Sequence, residues 1–493
     1  MSDDVIAFDP YALPPDEIQE PPTTLWATLR KIGPGIILAG TIVGSGELIL
    51  TTSLGAKHGF IFLWLILFSC VIKVFVQIEI GRYAISSGRP TLGAINELPG
   101  PRFGAHWMVW WWFFMMVCSV VQLGGMAGTV GQALNLAFPS VSSSSSSSVA
   151  GHFPWLGTMI TARPEVPWAV ATCLVAMALI YGGGYRRIEW LTTAIVVGVT
   201  LITVSAAVAL NWTNYPVRFS DLLKGLEFQI PTDPDGLAAA FAVFGVTGVG
   251  ATELFYYPYW CLEKGYARYV GRADGSEAWE RRARGWIRVM HLDAWVSMVV
   301  FTISTVAFYL MGAAVLHPQG LEPKGQALID TLSKMYVGPF GEWTRVLFLI
   351  GAGAVLFKTL YLSCAGNSRL MTDFLVLAGA TKSPSAEQRA RMIARLCLVF
   401  PSVALAFFLI GKDPKLMVTI GGVGQAATLP MIAGATLYFR YAKVHPALKP
   451  WRITDALLWV AVISICIVAA YAVPTQIRAA LPKPAAAVPT APR

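Results

Sequence analysis

The chain has 493 residues, 55% of them hydrophobic and only 13% charged, with a mean hydropathy of +0.58. Soluble domains carry about 25% charged residues, so this composition excludes an ordinary soluble fold. Apolar runs of ~20 residues recur, long enough to cross ~30 Å of hydrocarbon, and predict an all-α polytopic membrane protein; a β-barrel would show alternating strands of ~10 residues instead. The formal net charge of +9 follows from basic loops between apolar runs and does not indicate a nucleic-acid partner.

Residues 1–32 begin with Asp3, Asp4, Asp9, Asp16, Glu17 and Glu20 among several prolines, with no apolar core. This is no signal peptide and reads as a disordered cytoplasmic tail. Eleven spans follow, at about 33–56, 59–85, 104–137, 166–183, 188–210, 237–261, 288–315, 343–372, 393–410, 416–439 and 453–473. Between spans 3 and 4 the segment 138–164 contains a serine run and reads as a flexible connector. The segment 262–288 is strongly basic and reads as a cytoplasmic anchor. Residues 476–493 are rich in Ala and Pro and read as a disordered tail. With the N-terminus in the cytoplasm, 23 Lys and Arg fall on the inner side and 12 on the outer. That asymmetry fits the positive-inside rule and puts the C-terminus outside. An integral protein of the plasma (inner) membrane is expected, with the bilayer as its partner and a monomer compatible with this reading. The seven cysteines are scattered and form neither a CxxC nor a Cys/His cluster, so they read as small core residues.

Two stretches, 206 residues apart, carry the chemistry. Val43-Gly44-Ser45-Gly46-Glu47-Leu48 interrupts span 1, and Val249-Gly250-Ala251-Thr252-Glu253-Leu254 interrupts span 6. Glycine disfavours helix, and a carboxylate at membrane depth is costly by at least ~2.5 kcal/mol. Repetition of the pattern predicts two broken helices, related as an inverted repeat, around a site at the membrane midplane. Unwinding frees backbone carbonyls that protein, water or an ion must satisfy. Carbonyls plus carboxylates make a hard-oxygen cation site. A plainer alternative is a glycine packing patch with Glu47 paired to Lys73 or Lys358. The aromatic cluster Phe255, Tyr256, Tyr257, Tyr259 and Trp260 reads as packing or an interfacial belt. In span 10, Gly421-Gly422-Val423-Gly424-Gln425-Ala426 places an amide in an apolar run, as a site residue or a helix–helix hydrogen bond. Glu79 and Arg82 are expected to pair; Gln122 and Asn367 are candidates to face the cavity. No P-loop, HExxH or nucleophile elbow is present, so no enzyme activity is expected.

On these residues the chain resembles the natural resistance-associated macrophage protein (Nramp) family of divalent-metal transporters, from about residue 30 to 475. The resemblance implies a leucine-transporter-type fold of five plus five inverted helices, with spans 1–5 in 33–211, spans 6–10 in 212–440 and span 11 in 441–475. The family's first-helix motif, Asp-Pro-Gly-Asn, aligns with Gly44-Ser45-Gly46-Glu47. The family's tenth-helix Gly-Gln-Ser aligns with Gly424-Gln425-Ala426. Its sixth-helix Met-Pro-His pattern is absent, and Glu253-Leu254-Phe255 stands there.

The expected binding residues are Gly44, Ser45, Gly46, Glu47, Gly250, Ala251, Thr252, Glu253 and Gln425. Glu47, Glu253, Thr252 and Gln425 are the expected metal ligands. The expected function is a secondary transporter moving a divalent metal cation of Mg or Mn type by alternating access. The cation is its substrate, and no resident cofactor is expected. Loss of the soft methionine favours hard cations. A same-fold transporter of a small organic solute, such as an amino acid or amine, is the alternative; a channel or non-transporting membrane protein is a third.

Overall fold

The computed structural model describes residues 11–139, 161–181, 185–229, 236, 243–245, 247–323, 327–382, 384–411 and 413–480. The serine run lies outside these residues, as do residues 1–10 and 481–493 of the expected tails. Among the described residues, eight helices are long and apolar enough to cross a membrane: Leu63–Ser87, Trp107–Ala137, Tyr185–Trp212, Glu277–Leu316, Trp343–Leu377, Ala386–Ile410, Pro414–Lys443 and Arg452–Thr475. They are spans 2, 3, 5, 7, 8, 9, 10 and 11. Span 4 is the shorter helix Val166–Ile180. Span 1 is two helical pieces, Pro34–Ile42 and Gly46–His58, and of span 6 the long described helix is Ala251–Lys264.

Span 1 runs as Pro34–Ile42, breaks, and resumes as one wide π-type turn, Gly46–Thr51, that continues into Thr52–His58. The two pieces meet at a bend of 42°. Pro34 at the helix start is compatible with helix because the first-turn N–H groups have no partner there. In span 6 the chain is helical at 243–245, bends through Thr247, Gly248 and Val249, and resumes as Ala251–Lys264. Gly248 has φ +68°, a left-handed conformation that favours glycine. A Cβ there would also lie 3.0 Å from Cys70 Cα. The first part of span 6, 237–242, lies outside the described residues.

Small residues set the packing of span 3 at the centre. A Cβ at Gly124 would fall 2.6 Å from Ala404 O in span 9, and one at Gly125 2.8 Å from Pro414 O in span 10. From the other side, a Cβ on Gly421 would lie 2.4 Å from Gln122 Oε1. Backbones that approach this closely gain dispersion contacts, the main attraction available between helices in lipid. The aromatic run of span 6 is packing: Phe255, Tyr256, Tyr257, Tyr259 and Trp260 are all buried. It is not an interfacial belt.

Two expectations are corrected. Residues 11–32 are not a disordered tail but a strap across the N-terminal end of the bundle. The Tyr11 ring meets Tyr259 edge-on at 5.9 Å, with the Arg389 guanidinium 4.3 Å above it. Glu17 pairs with Arg268 at 2.9 Å, Gln19 N donates to Tyr269 O at 3.1 Å, and Trp286 Nε1 donates to Gln19 O at 2.9 Å. Acidic residues that make the segment look solvated thus meet the basic segment 262–288. That segment is itself largely structured: Tyr266–Val270 is helical, and span 7 begins at Glu277, capped by Ser276. At the other terminus, helix continues to Ala480. The expected Glu79–Arg82 pair is present at 3.1 Å, with Arg440 beside it at 3.5 Å.

Tyr11→Ala removes an edge-on aromatic contact and a cation–π contact, together worth about 1–3 kcal/mol. It should lower the melting temperature and expose residues 11–32 to protease. Unchanged protease protection in the variant would show that the strap is not held through Tyr11.

Candidate functional site

The repeated V-G-x-x-E-L pattern resolves into one device used twice. Gly250 caps the resumed half of span 6, and Glu253 stands three residues on; its carboxylate folds back over Gly250, where Oε2 would lie 2.6 Å from an added Cβ. In span 1, the Glu47 carboxylate folds back likewise and accepts from Gly44 N at 3.2 Å. A glutamate that reaches back three residues to the cap N–H is half of a capping box. It satisfies donors that the broken ladder leaves open. Both caps are closely packed against neighbouring side chains. A Cβ on Gly44 would lie 2.3 Å from Thr359 Oγ1, and one on Gly250 would lie 2.6 Å from both Gln425 Oε1 and Glu253 Oε2.

The two buried lysines complete the breaks from the other side. Lys358 Nζ donates to Val43 O at 2.7 Å, where the first half of span 1 ends. Lys73 Nζ donates to Phe244 O at 2.7 Å and to Thr247 O, where the first half of span 6 ends. Ser69 Oγ donates to the same two carbonyls at 3.2 and 3.0 Å. The breaks touch each other through Thr51 Oγ1 and Thr247 Oγ1, 3.4 Å apart.

Between the breaks lies a small cavity of about 30 Å³. Its wall includes Ser45 and Gly46 from span 1, Thr252 and Glu253 from span 6, and Gln425 from span 10. Spans 3 and 8 add Ser119, Gln122, Met126, Thr359 and Ser363. Gln122 links the wall: its Nε2 donates to Ser45 Oγ at 3.2 Å, and its Oε1 accepts from Gln425 Nε2 at 3.0 Å. Gln425 is therefore both a cavity residue and a helix–helix hydrogen bond. Ser119 and Thr252 hydroxyls stand 3.4 Å apart. Thr41, also on the wall, has its hydroxyl within hydrogen-bonding reach of the Glu253 carboxylate. Tyr256 lines the cavity and donates to Asn367 Oδ1 at 2.8 Å, so Asn367 stands one layer behind.

Of the residues expected to bind substrate, Ser45, Gly46, Thr252, Glu253 and Gln425 come together on this wall. Gly44, Glu47, Gly250 and Ala251 do not line it; Gly250 touches the two side chains that do. Glu47 is fully buried behind the wall, with Oε2 on Gly44 N and Oε1 without a hydrogen-bond partner. The expected pair of carboxylates on one cavity is therefore replaced by one, Glu253. The Glu47 carboxylate instead folds back onto Gly44 N, away from the cavity. Sequence reading missed Met126, Ser119, Thr359 and Ser363; their signal was the presence of small hydroxyls and glycines inside otherwise apolar spans. Among the described residues no group of three or more His, Cys, Asp or Glu is placed to hold a metal.

The N-terminal end below the cavity is sealed. Asp293 of span 7 is fully buried. It accepts from Gly33 N at 2.8 Å, Gly35 N at 2.6 Å and Tyr257 OH at 3.1 Å. This pins the start of span 1 to spans 6 and 7. The end of span 6 is tied to span 5 by Lys264–Glu189 at 2.6 Å and to span 8 by the two-pronged Glu263–Arg369 pair at 2.5 and 3.0 Å. Tyr259 donates to Asp373 at 2.6 Å, and Arg389 of span 9 pairs with the same carboxylate at 2.5 Å.

This geometry, two capped breaks about an oxygen-lined cavity, agrees with the comparisons. Residues 35–475 match the family described as natural resistance-associated macrophage protein-like. The chain belongs to the Nramp family. A relative from Brucella suis biovar 1 (strain 1330), the divalent metal cation transporter MntH, is 22% identical over 456 residues, covering 89% of this chain and 86% of its own. A crystal structure of the Eremococcus coleocola manganese transporter, in complex with an aromatic bis-isothiourea substituted compound, superposes with a TM-score of 0.65 at 16% identity. The match covers 93% of this chain and 90% of that one. The structure of MhsT in complex with L-phenylalanine also shares the fold, with a TM-score of 0.52 at 16% identity over 92% of this chain and 99% of that one. The fold is thus the leucine-transporter-type architecture that the family resemblance implies. The family is one of transporters, not enzymes. At the position of its first-helix aspartate this Nramp chain has Gly44, and Thr359 occupies the space that any side chain there would need.

Asp293→Ala would leave three buried donors without an acceptor, each worth about 1–3 kcal/mol. The first half of span 1 should then release, and a cysteine placed at Ser45 should be labelled faster from the N-terminal side. An unchanged labelling rate in folded protein would remove Asp293 from the closure.

Proposed function

We propose that this Nramp protein is a secondary transporter that carries a divalent metal cation of Mg or Mn type by alternating access. One observation carries the reading: a single membrane-embedded carboxylate, Glu253, sits among oxygen donors from spans 1, 3, 6, 8 and 10 in a cavity between two broken helices. An ionisable group buried at such depth marks a substrate path. The functions named for the Brucella and Eremococcus proteins support a divalent cation as the substrate. The chain is read as lying in the plasma membrane with its N-terminus in the cytoplasm, supported by the distribution of Lys and Arg between its two sides.

The donor set supports a hard ion. Glu253, Thr252, Gln425, Ser45 and Gln122 offer oxygen, which suits Mg²⁺ and Mn²⁺. Met126 is the one soft donor among the described wall residues. Mg²⁺ gives up water reluctantly, and neutral oxygens on the wall suit an ion that keeps part of its hydration. Glu253 and Thr252 would meet the cation through charge and hydroxyl, with Gln425 and Gln122 holding waters or the ion from the opposite wall. Opening toward the N-terminal side requires release of the Asp293 and Glu263 ties while the cavity wall stays largely intact. Glu47, by this reading, keeps the break of span 1 in shape and does not touch substrate.

A contact between a charged group and its partner is worth ~1.5–3 kcal/mol, so Glu253→Gln should weaken Mn²⁺ uptake about 10- to 100-fold in apparent affinity. Folded protein with unchanged uptake would remove Glu253 from the site. In competition against Mn²⁺ uptake into proteoliposomes, excess Mg²⁺ should inhibit, and Met126→Leu should reduce inhibition by Cd²⁺ alone. Strong inhibition by Cd²⁺ with none by Mg²⁺ would overturn the hard-ion assignment. Saturable amine or amino-acid uptake, with no response to any divalent ion, would overturn the metal assignment itself.

A further inference from the structure

A helix that stops in mid-membrane presents the negative end of its dipole and a set of carbonyls without partners. Water is scarce there, so the choice lies between a bound cation and a protein donor. Both stops in this protein are met by a lysine from a different span. Lys358 of span 8 meets Val43 O, and Lys73 of span 2 meets Phe244 O and Thr247 O. Both lysines are buried to within 1% of full exclusion. An ammonium group at such depth is expensive unless it is held by acceptors. Here the acceptors are the carbonyls that a free cation would otherwise coordinate, and Ser69 shares two of them.

The charge balance points the same way. The centre of the bundle holds two carboxylates, Glu47 and Glu253, and two ammonium groups, Lys73 and Lys358. It is formally neutral with nothing bound. Lys358 lies close enough to Glu47 to act on it electrostatically, and Lys73 to act on both Glu47 and Glu253.

We propose that Lys73 and Lys358 are tethered counter-cations, fixed in the two positions where the broken helices would otherwise bind a small monovalent cation such as Na⁺. The breaks are then held in shape permanently, and the cycle needs no alkali co-ion. Lys358 and Lys73 act as positioning residues: they set the ends of the half-helices whose restarts carry Ser45, Gly46 and Glu253. Removing either side chain leaves an ammonium-sized space, faced by Phe244 O, Thr247 O and Ser69 Oγ at Lys73 and by Val43 O at Lys358, that Na⁺ or methylammonium would fill.

The test uses the purified full-length protein and reads thermal stability in Na⁺, methylammonium or choline salts at matched ionic strength. Wild-type protein should melt at the same temperature in all three, and its Mn²⁺ uptake should not change when Na⁺ is replaced by choline. Lys358→Ala and Lys73→Ala should be destabilised in choline and recover by about 2 °C or more in Na⁺ or methylammonium, the signature of a ligand that binds the folded state. Lys334→Ala, at an exposed position, should show no such preference. Three results would overturn the proposal: wild-type stability or uptake that depends on Na⁺; folded alanine variants indifferent to the cation; or alanine variants that fold in none of the three salts. The melting readout requires no transport, so its outcome is independent of the substrate assignment.

Discussion

Backbone polar groups in hydrocarbon have nowhere to go but to the protein itself, and every feature of the central site follows from that constraint. Breaking spans 1 and 6 opens four sets of groups: N–H donors where each helix restarts, and C=O acceptors where each first half stops. Glu47 takes the donor at Gly44, and the Glu253 carboxylate lies over Gly250 at the other restart. Lys358 and Lys73 take the acceptors, at Val43, Phe244 and Thr247. Once those claims are met, what remains between the breaks is a cavity whose wall keeps one carboxylate facing inward. The site is therefore the residue of a capping problem, not a separate construction laid over the fold.

The two breaks solve the same problem with different outcomes. In span 6 the restart is a regular helix from Ala251, and the carboxylate of its third residue, Glu253, stays on the cavity wall. In span 1 the restart is a wide turn from Gly46 to Thr51, and Glu47 is carried behind the wall. The asymmetry leaves a cation facing a single formal negative charge, supplemented by hydroxyl and amide oxygens. Such a wall favours ions that keep part of their water, since neutral oxygens replace a hydration shell less completely than a second carboxylate would.

Closure is built unevenly along the bundle. At the N-terminal end, Asp293, Glu189, Glu263 and Asp373 gather spans 1, 5, 6, 7, 8 and 9 through charge-assisted hydrogen bonds, and the strap of residues 11–32 lies over them. These contacts are numerous, discrete and reversible, which is what a two-state gate requires. Around the cavity, by contrast, helices meet through glycine, as at Gly124, Gly125 and Gly421. Close-packed backbones there deform little, so motion is concentrated in the half-helices of spans 1 and 6 and their polar ties.

The amino-acid sequence by itself determined the membrane fold, the order of the spans and the two interruptions, because apolar length and glycine–glutamate placement are local properties readable along the chain. It also marked Glu253, Thr252 and Gln425. It did not decide which way Glu47 points, since the same Gly-x-x-Glu pattern leaves one carboxylate on the cavity wall and turns the other onto a backbone N–H behind it. Nor did it decide what Lys73 and Lys358 bind: their acceptors lie 171 and 315 residues away. The acidic N-terminal segment looked solvated because its partners, Arg268, Tyr269 and Trp286, belong to a distant basic segment. Composition reports what a segment can do alone, whereas pairing across the bundle depends on which buried groups are left unsatisfied after the helices pack, and only the tertiary structure decides that.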